Sequence, residues 1–161
     1  MKKLIYTLLI VIALTNNSFS AGTSSDSSDG SSSYTKAYNL IKAAKKYEKQ
    51  GKTEKAQKRY TKAQKLLLKS NKEKPLQADT LNYLGFTTRK LGDYEKGEEF
   101  YLQGLQIEPN HNGINEYLGE LYIVTNRMDL AKERLNVLKS CGCKEYKQLK
   151  EIIEGTKKSK Y

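Results

Sequence analysis

The sequence of 161 residues has no tryptophan, one histidine, two cysteines and two prolines. Because His111 is the only imidazole, a multi-histidine metal centre is excluded, and a Ser-His-Asp hydrolase would depend on that single residue. The few prolines and the 11 glycines exclude a collagen-like or proline-rich chain. The sequence also lacks the Gly-x-Gly-x-x-Gly fingerprint and a complete phosphate-binding Gly-x4-Gly-Lys-Ser/Thr loop. We expect a protein without enzymatic activity, cofactor or resident metal.

The remaining composition is that of one polar globular domain. Charged residues make up 29% of the chain and hydrophobic residues 37%, and 12 of the residues are tyrosine. A chain of this length can build one modest hydrophobic core but not two large ones.

The one long apolar run lies at the N terminus. Lys2 and Lys3 precede eleven uncharged, mostly apolar residues, 4–14, and the small residues Ser18 and Ser20 follow. This layout is typical of a secretory signal peptide over residues 1–20, cleaved near Ser20-Ala21. A membrane span needs about twenty apolar residues, so an uncleaved anchor is the less favoured alternative. We expect an exported, periplasmic or secreted protein that does not span a membrane once processed.

The next segment is rich in serine, glycine and aspartate. Residues 22–33 contain no large apolar side chain, so they cannot bury enough surface to offset the entropy lost on ordering. We expect a disordered leader over 21–35 and a folded part that begins near Tyr34.

Three copies of one pattern follow the leader. Each copy has a turn residue, then a small residue five positions later, then a large apolar residue four positions after that. The turn residues are Gly51, Gly92 and Asn126; the small ones are Ala56, Gly97 and Ala131; the large ones are Tyr60, Tyr101 and Leu135. Apolar residues spaced three and four apart also precede each turn, which predicts an amphipathic helix on both sides of it.

The middle copy carries Leu84-Gly85, Tyr101 and Pro109 at the spacing W-x2-L-G-x2-Y, A-x3-F, P. The chain therefore resembles the tetratricopeptide repeat family over about two-thirds of its length. The resemblance implies an all-α solenoid of three helix pairs, at about 37–74, 77–109 and 111–140. Seven extra residues in the first copy predict a long second helix ending near Lys72. An apolar stripe in 144–155 predicts a capping helix, and 156–161 should be a frayed basic tail.

A narrower similarity is carried by residues 110–113 (Asn-His-Asn-Gly), 116–120 (Glu-Tyr-Leu-Gly-Glu) and the cysteine pair before 145–150 (Glu-Tyr-Lys-Gln-Leu-Lys). These stretches are similar to exported tetratricopeptide proteins of alphaproteobacteria with a C-terminal Cys pair. That similarity implies no particular activity.

The family resemblance implies a concave surface, lined by the first helix of each pair, that holds a partner peptide. Mapped onto this chain, the lining residues are Ile41, Lys45, Lys49, Asn82, Phe86, Arg89, Lys90, Glu116, Glu120 and Ile123. Phe86 could anchor a partner side chain or could pack against the neighbouring helix. Asn82 could bond a partner's backbone, and Arg89 with Lys90 could pair with a carboxylate.

Positive charge is concentrated in the first repeat. Residues 36–74 carry a net charge of +11, whereas 75–143 carry −3. This block could dock on an anionic surface, or it could reflect a lysine-rich composition that solubilises the helices. Nucleic acid is a disfavoured partner because export separates it from the protein and only four residues are arginine.

The most distinctive chemistry is the step Cys141-Gly142-Cys143. On a regular helix the two side chains would point about 200° apart, so a bridge requires a non-helical backbone, which Gly142 permits. The pair could be a local staple for the capping helix, a thiol-exchange site, or part of a metal site.

The sequence therefore predicts an exported interaction scaffold or adaptor for a protein or peptide partner in the cell envelope. The alternative is a periplasmic thiol-disulfide or metal-handling protein that uses Cys141 and Cys143.

Overall fold

The computed structural model describes residues 31–159, and within that range it contains seven α-helices and no strand. The helices are α1 (Ser33–Lys49), α2 (Thr53–Glu73), α3 (Ala78–Lys90), α4 (Tyr94–Ile107), α5 (Asn112–Val124), α6 (Met128–Leu138) and α7 (Lys144–Ile153). The predicted all-α class is confirmed. The expected signal peptide, and the expected leader up to residue 30, lie outside the described residues.

The first helix begins at Ser33, a few residues before the predicted start of the first pair. The side chain of Ser32 accepts a hydrogen bond from the backbone N–H of Thr35 at 3.1 Å, and Ala37 is fully buried. A serine at the N-cap satisfies one of the backbone donors that a helix start leaves open. The serine run that predicted a leader therefore also provides the cap of α1.

The helices pair as hairpins, α1 with α2, α3 with α4 and α5 with α6, and α7 closes the series. The turn of each hairpin contains a residue in the left-handed region: Gly51 (φ 69°), Gly92 (φ 99°) and Asn126 (φ 59°). Glycine enters this region without steric cost and asparagine does so more easily than other residues. These are the three turn positions that the repeat pattern predicted.

The second helix is the longest, with 21 residues, and it ends at Glu73, one residue after the predicted end. Lys74 and then Pro75 follow, and a proline disfavours the helical conformation of the residue before it, which here is the non-helical Lys74 (φ −137°, ψ 87°). Leu67 is fully buried, so the two additional turns extend the core.

Two hydrophobic clusters form the core. The first joins α1, α2 and α3 and includes Tyr60 and Leu84; the second runs from the start of α3 to α6 and includes Tyr101 and Leu118. Both tyrosines are 0% exposed. They are the large apolar residues that the repeat pattern placed between the helices.

The last helix covers the open end of the second cluster. Leu149 of α7 is fully buried, and a Cβ added at Gly119 would lie 2.6 Å from Leu149 Cδ2. Glycine at this position therefore allows α7 to approach α5 closely, as a capping element must. Within residues 31–159, no helix has the length and apolar character needed to cross a membrane.

Candidate functional site

The first helices of the three pairs, α1, α3 and α5, supply the predicted lining residues of the concave face. These helices are neighbours in space, since α3 contacts both α1 and α5. The side chains that they bring together form three linked groups, centred on Lys45, Arg89 and Glu48.

Lys45 lies among aromatic rings. Its Nζ is 4.3 Å from the centroid of the Phe86 ring and 5.2 Å from that of Tyr117, and it donates a hydrogen bond to the Tyr117 hydroxyl at 2.9 Å. A cation over aromatic faces is attracted by the ring quadrupole, more strongly where water is excluded. This group connects α1 to α5 across α3.

Phe86 itself belongs to the first core cluster and is 2% exposed. Its ring centroid is 5.7 Å from that of Tyr60 in an edge-on arrangement and 5.0 Å from that of Tyr117. The ring therefore packs against its neighbours, and it borders the concave face through its contact with Lys45.

Arg89 is buried at the middle of the face. Its Nη1 donates to the backbone carbonyl of Tyr117 at 2.7 Å, and its Nη2 is 3.8 Å from Oε2 of Glu120. Both side chains of this ion pair are fully buried. A buried ion pair requires compensating contacts because desolvation of both charges is costly, and the carbonyl of Tyr117 supplies one. Glu116, one turn earlier on α5, is also buried.

A third group lies beside α1. Lys90 Nζ is 2.6 Å from Oε1 of Glu48, and the Tyr60 hydroxyl donates to Oε2 of the same carboxylate at 2.8 Å. Burial, together with this carboxylate, raises the pKa of Tyr60. Glu48 therefore fixes Lys90 and joins the concave face to the core.

The other predicted lining residues lie apart from these groups. Ile41 is 1% exposed and belongs to the first core cluster, whereas Lys49 is exposed at the end of α1. Ile123 packs against the second cluster. Asn82 is buried, and its Oδ1 has no hydrogen-bond partner within the described part of the chain.

Two residues of the face were missed by the sequence analysis, Glu48 and Tyr117. Both lie one position away from residues that the repeat spacing selected, Lys49 and Glu116. Adjacent positions on a helix point about 100° apart, so the spacing that selected Lys49 and Glu116 left these two out, and the contact of Tyr117 with Lys45 joins residues 72 positions apart. That contact depends on how the repeats stack.

His111 caps the start of α5. Its Nδ1 accepts from the backbone N–H of Ile114 at 3.1 Å, so it caps α5. Because Nδ1 is the acceptor, the proton of the neutral ring lies on Nε2, which is 3.1 Å from Oδ1 of Asp79.

Cys141 and Cys143 form a disulfide with a Cα–Cα distance of 5.1 Å. The backbone there is not helical: α6 ends at Leu138, Gly142 has φ 60°, and Cys143 is the N-cap of α7. Within residues 31–159, no group of three or more His, Cys, Asp or Glu side chains could hold a metal ion.

The outer face of the first pair is basic. Lys55, Lys58, Arg59 and Lys62 line a shallow cleft together with Tyr47. Arg59 and Lys55 lie over the Tyr47 ring, at 5.9 and 6.0 Å from its centroid. The lining of this cleft includes no carboxylate.

Comparisons with known proteins address the fold. Residues 78–111, which cover the middle helix pair, match the family model described as tetratricopeptide repeat. The type III secretion translocator chaperone SycD of Yersinia enterocolitica has a similar structure, with a TM-score of 0.52 and 14% identity over 73% of this chain and 81% of that chain. The first tetratricopeptide domain of Spaghetti (RPAP3), solved with the HSP90 peptide SRMEEVD, has a TM-score of 0.49 and 18% identity over 76% of this chain and 94% of that chain.

A comparison with curated protein sequences gives no match. The helix pairs, their left-handed turns and the match over 78–111 nevertheless agree, so the fold of the described chain is an all-α, tetratricopeptide-type solenoid of helical hairpins with a terminal capping helix.

Proposed function

We propose that this protein is an exported, non-enzymatic adaptor that binds a partner peptide or protein segment of the cell envelope on its concave face. The observation that carries the proposal is the charge order of that face. Lys45 lies on α1, whereas the carboxylates Glu116 and Glu120 lie on α5. Lys90 of α3 is paired with Glu48 of α1, and Arg89 of α3 with Glu120. A face with opposite charges at its two sides favours one orientation of an extended ligand.

The chemistry of the face supports a polypeptide ligand. Lys45 lies beside two adjacent aromatic rings, where an added aromatic or carboxylate group of a ligand would find a partner. If this face had no binding function, charged side chains would not be needed at these positions, since apolar residues of similar size would pack without a desolvation penalty.

The experiment is site-specific cross-linking. A photo-reactive residue replaces Lys49, which is exposed at the end of α1, and cross-linked material from the envelope is identified by mass spectrometry. The Lys45→Gln variant should lower the yield of the specific adduct at least fivefold. Lys65→Gln, which changes an exposed charge of α2 outside the basic cleft, should leave the yield unchanged. Equal loss in both variants, or loss in neither, would contradict the proposal.

The disulfide supports a rival function in thiol-disulfide exchange. Cys141 is exposed, so an external thiolate could attack its sulfur. The double variant Cys141→Ser/Cys143→Ser separates the two functions. The adaptor proposal predicts an unchanged cross-linking yield, whereas the rival predicts that exchange with a reduced dithiol peptide is abolished and that the partner adduct disappears.

The basic cleft on α2 supports a second candidate role, docking on an anionic surface. Four cations without a carboxylate among the lining residues would attract anionic headgroups, and the attraction should weaken with salt. Sedimentation with phosphatidylglycerol vesicles tests this role. Lys58→Gln/Lys62→Gln should reduce the bound fraction several-fold at low salt, and phosphatidylcholine vesicles should not bind.

A further inference from the structure

The chain reverses its direction directly after α7. Gly155 has φ 72°, and the backbone N–H groups of Thr156 and Lys157 both donate to the carbonyl of Glu151, at 3.0 and 3.1 Å. The Thr156 hydroxyl donates to the same carbonyl at 3.0 Å. These bonds hold the start of the tail against α7, so this part of 156–161 differs from the frayed end that the sequence predicted.

The reversed tail reaches the concave face. The Ser159 hydroxyl donates to Oε2 of Glu120 at 3.5 Å, across a sequence separation of 39 residues. Glu120 is also the partner of Arg89. The tail therefore meets the face at its central ion pair and on its acidic side.

The charges of the tail and of this side are complementary. Residues 155–161 contain three lysines, Lys157, Lys158 and Lys160, and no acidic residue. The neighbouring part of α5 contributes Glu116 and Glu120. Within the described tail, Lys157 Nζ lies 3.5 Å from Oε2 of Glu151 on α7. Lys158 is the residue before Ser159, and since consecutive Cα atoms are about 3.8 Å apart, its side chain is within reach of the α5 carboxylates.

We propose that the start of the basic tail, residues 155–159, is an intramolecular ligand of the concave face that lies on its α5 side and competes there with external partners. A tethered segment has an effective concentration in the millimolar range, so even a weak contact keeps the site filled. A partner must displace the tail. The partner's apparent affinity is therefore its intrinsic affinity multiplied by the fraction of molecules in which the face is open. The ligand class for this side of the face is thus a lysine-containing extended segment.

Docking of the tail can be measured without any partner. The probe is a fluorescein-labelled, C-terminally amidated peptide of residues 155–161, and its anisotropy is followed with two proteins, the chain ended after Glu154 and the full chain. We expect the shortened chain to bind the peptide at least tenfold more tightly than the full chain. A control peptide with glutamine in place of the three lysines should lose at least tenfold in affinity.

Variants on the face localise the contact. Glu116→Gln and Glu120→Gln, introduced into the shortened chain, should each weaken peptide binding at least fivefold, whereas Glu95→Gln at an exposed position of α4 should not. Because Glu120 is buried, its variant is first compared with the parent by thermal unfolding. If the Glu120→Gln protein does not fold, the parent shortened chain is tested with a peptide that carries Lys158→Gln and Ser159→Ala. This peptide is expected to show a similar loss of affinity.

Three outcomes would overturn the proposal: no binding by the shortened chain, equal binding by both chains, or a full chain that becomes dimeric through exchanged tails. The competition rests on the proposed adaptor function, and the two can fail separately. If the peptide binds but no envelope partner is cross-linked, the adaptor function fails and tail docking stands. If a partner binds both chains equally, the adaptor function stands and the competition fails.

Discussion

The ring of Tyr101 in α4 lies directly on Gly85 in α3, so that a Cβ added at Gly85 would be 2.5 Å from Cε1 of the ring. Tyr101 is fully buried and cannot move outward without opening the second core cluster. Gly85→Ala should therefore lower the free energy of unfolding by about 1–3 kcal/mol through overpacking. Urea unfolding followed by circular dichroism measures this loss.

A compensating variant identifies the cause of that loss. Tyr101→Leu makes room for the added methyl group, so the loss caused by Gly85→Ala should be smaller in the Tyr101→Leu background than in the parent. Strict additivity would show that the strain is in the helix backbone and not against the ring. Lys65→Ala, at an exposed position of α2, serves as the control for a surface substitution.

Tyr60 and Tyr101, the two buried tyrosines of the repeat pattern, differ in the hydrogen bonding of their hydroxyl groups. The hydroxyl of Tyr60 donates to Glu48 at 2.8 Å, whereas that of Tyr101 is buried without a hydrogen-bond partner in the described part of the chain. Tyr60→Phe should lower the free energy of unfolding by about 1–2 kcal/mol because it deprives a carboxylate of a donor. Tyr101→Phe removes an unsatisfied group and should leave stability unchanged or raise it by up to about 1 kcal/mol.

The comparison is made by urea unfolding of the two variants and the parent under one condition. The repeat spacing treats both tyrosines as the same core residue, so only the structure predicts a difference. An equal loss of stability in both variants would contradict the assigned hydroxyl environments.

The fold was predictable where the constraint is local. Gly51, Gly92 and Asn126 were identifiable as turns because a left-handed backbone conformation accepts very few residue types. The end of α2 was predictable because Pro75 follows it. The start of α1 was not, because serine serves equally as a disordered-segment residue and as an N-cap.

The site was less predictable because its contacts join distant repeats. Helical spacing selected Lys45, Arg89 and Glu120, but it also selected Ile41, which is buried in the core. Whether a first-helix side chain faces the core or the concave face depends on the rotation of that helix in the stack. The contact of Ser159 with Glu120 has no local signal at all, since it requires the chain to reverse after α7.

The buried phenols predict the response of the fold to alkaline pH. Burial raises the pKa of Tyr34 to about 12, and burial also raises the pKa values of Tyr101 and Tyr117. In the unfolded chain these phenols have a pKa of about 10, so the unfolded state loses protons first. Their contribution to stability is complete below pH 10 and is lost as the pH rises from about 10 to 12 and beyond.

The measurement is urea unfolding at several pH values from 8 to 11, together with phenolate absorbance. The free energy of unfolding should fall above pH 10, and the absorbance of the buried phenols should rise with unfolding and not before it. In Tyr101→Phe the fall should be shallower because one buried phenol has been removed. Titration of all tyrosines near pH 10 in a chain that remains folded would contradict the burial of these rings.

The capping helix α7 is attached both by the disulfide and by the packing of Leu149, and the two contributions to stability can be compared. The bridge between Cys141 and Cys143 closes a loop of only three residues, for which the chain-entropy model gives about 1–2 kcal/mol. Leu149, by contrast, fills the space above Gly119, and Leu149→Ala should cost about 2–5 kcal/mol by leaving a cavity. We therefore expect Cys141→Ser/Cys143→Ser to destabilise the protein clearly less than Leu149→Ala.

Urea unfolding of both variants, each with and without a reductant, measures the difference in the free energy of unfolding. The reductant should affect only the chains that retain both cysteines. If the serine variant is the less stable of the two, the packing of α7 on α5 depends on the bridge and not on Leu149.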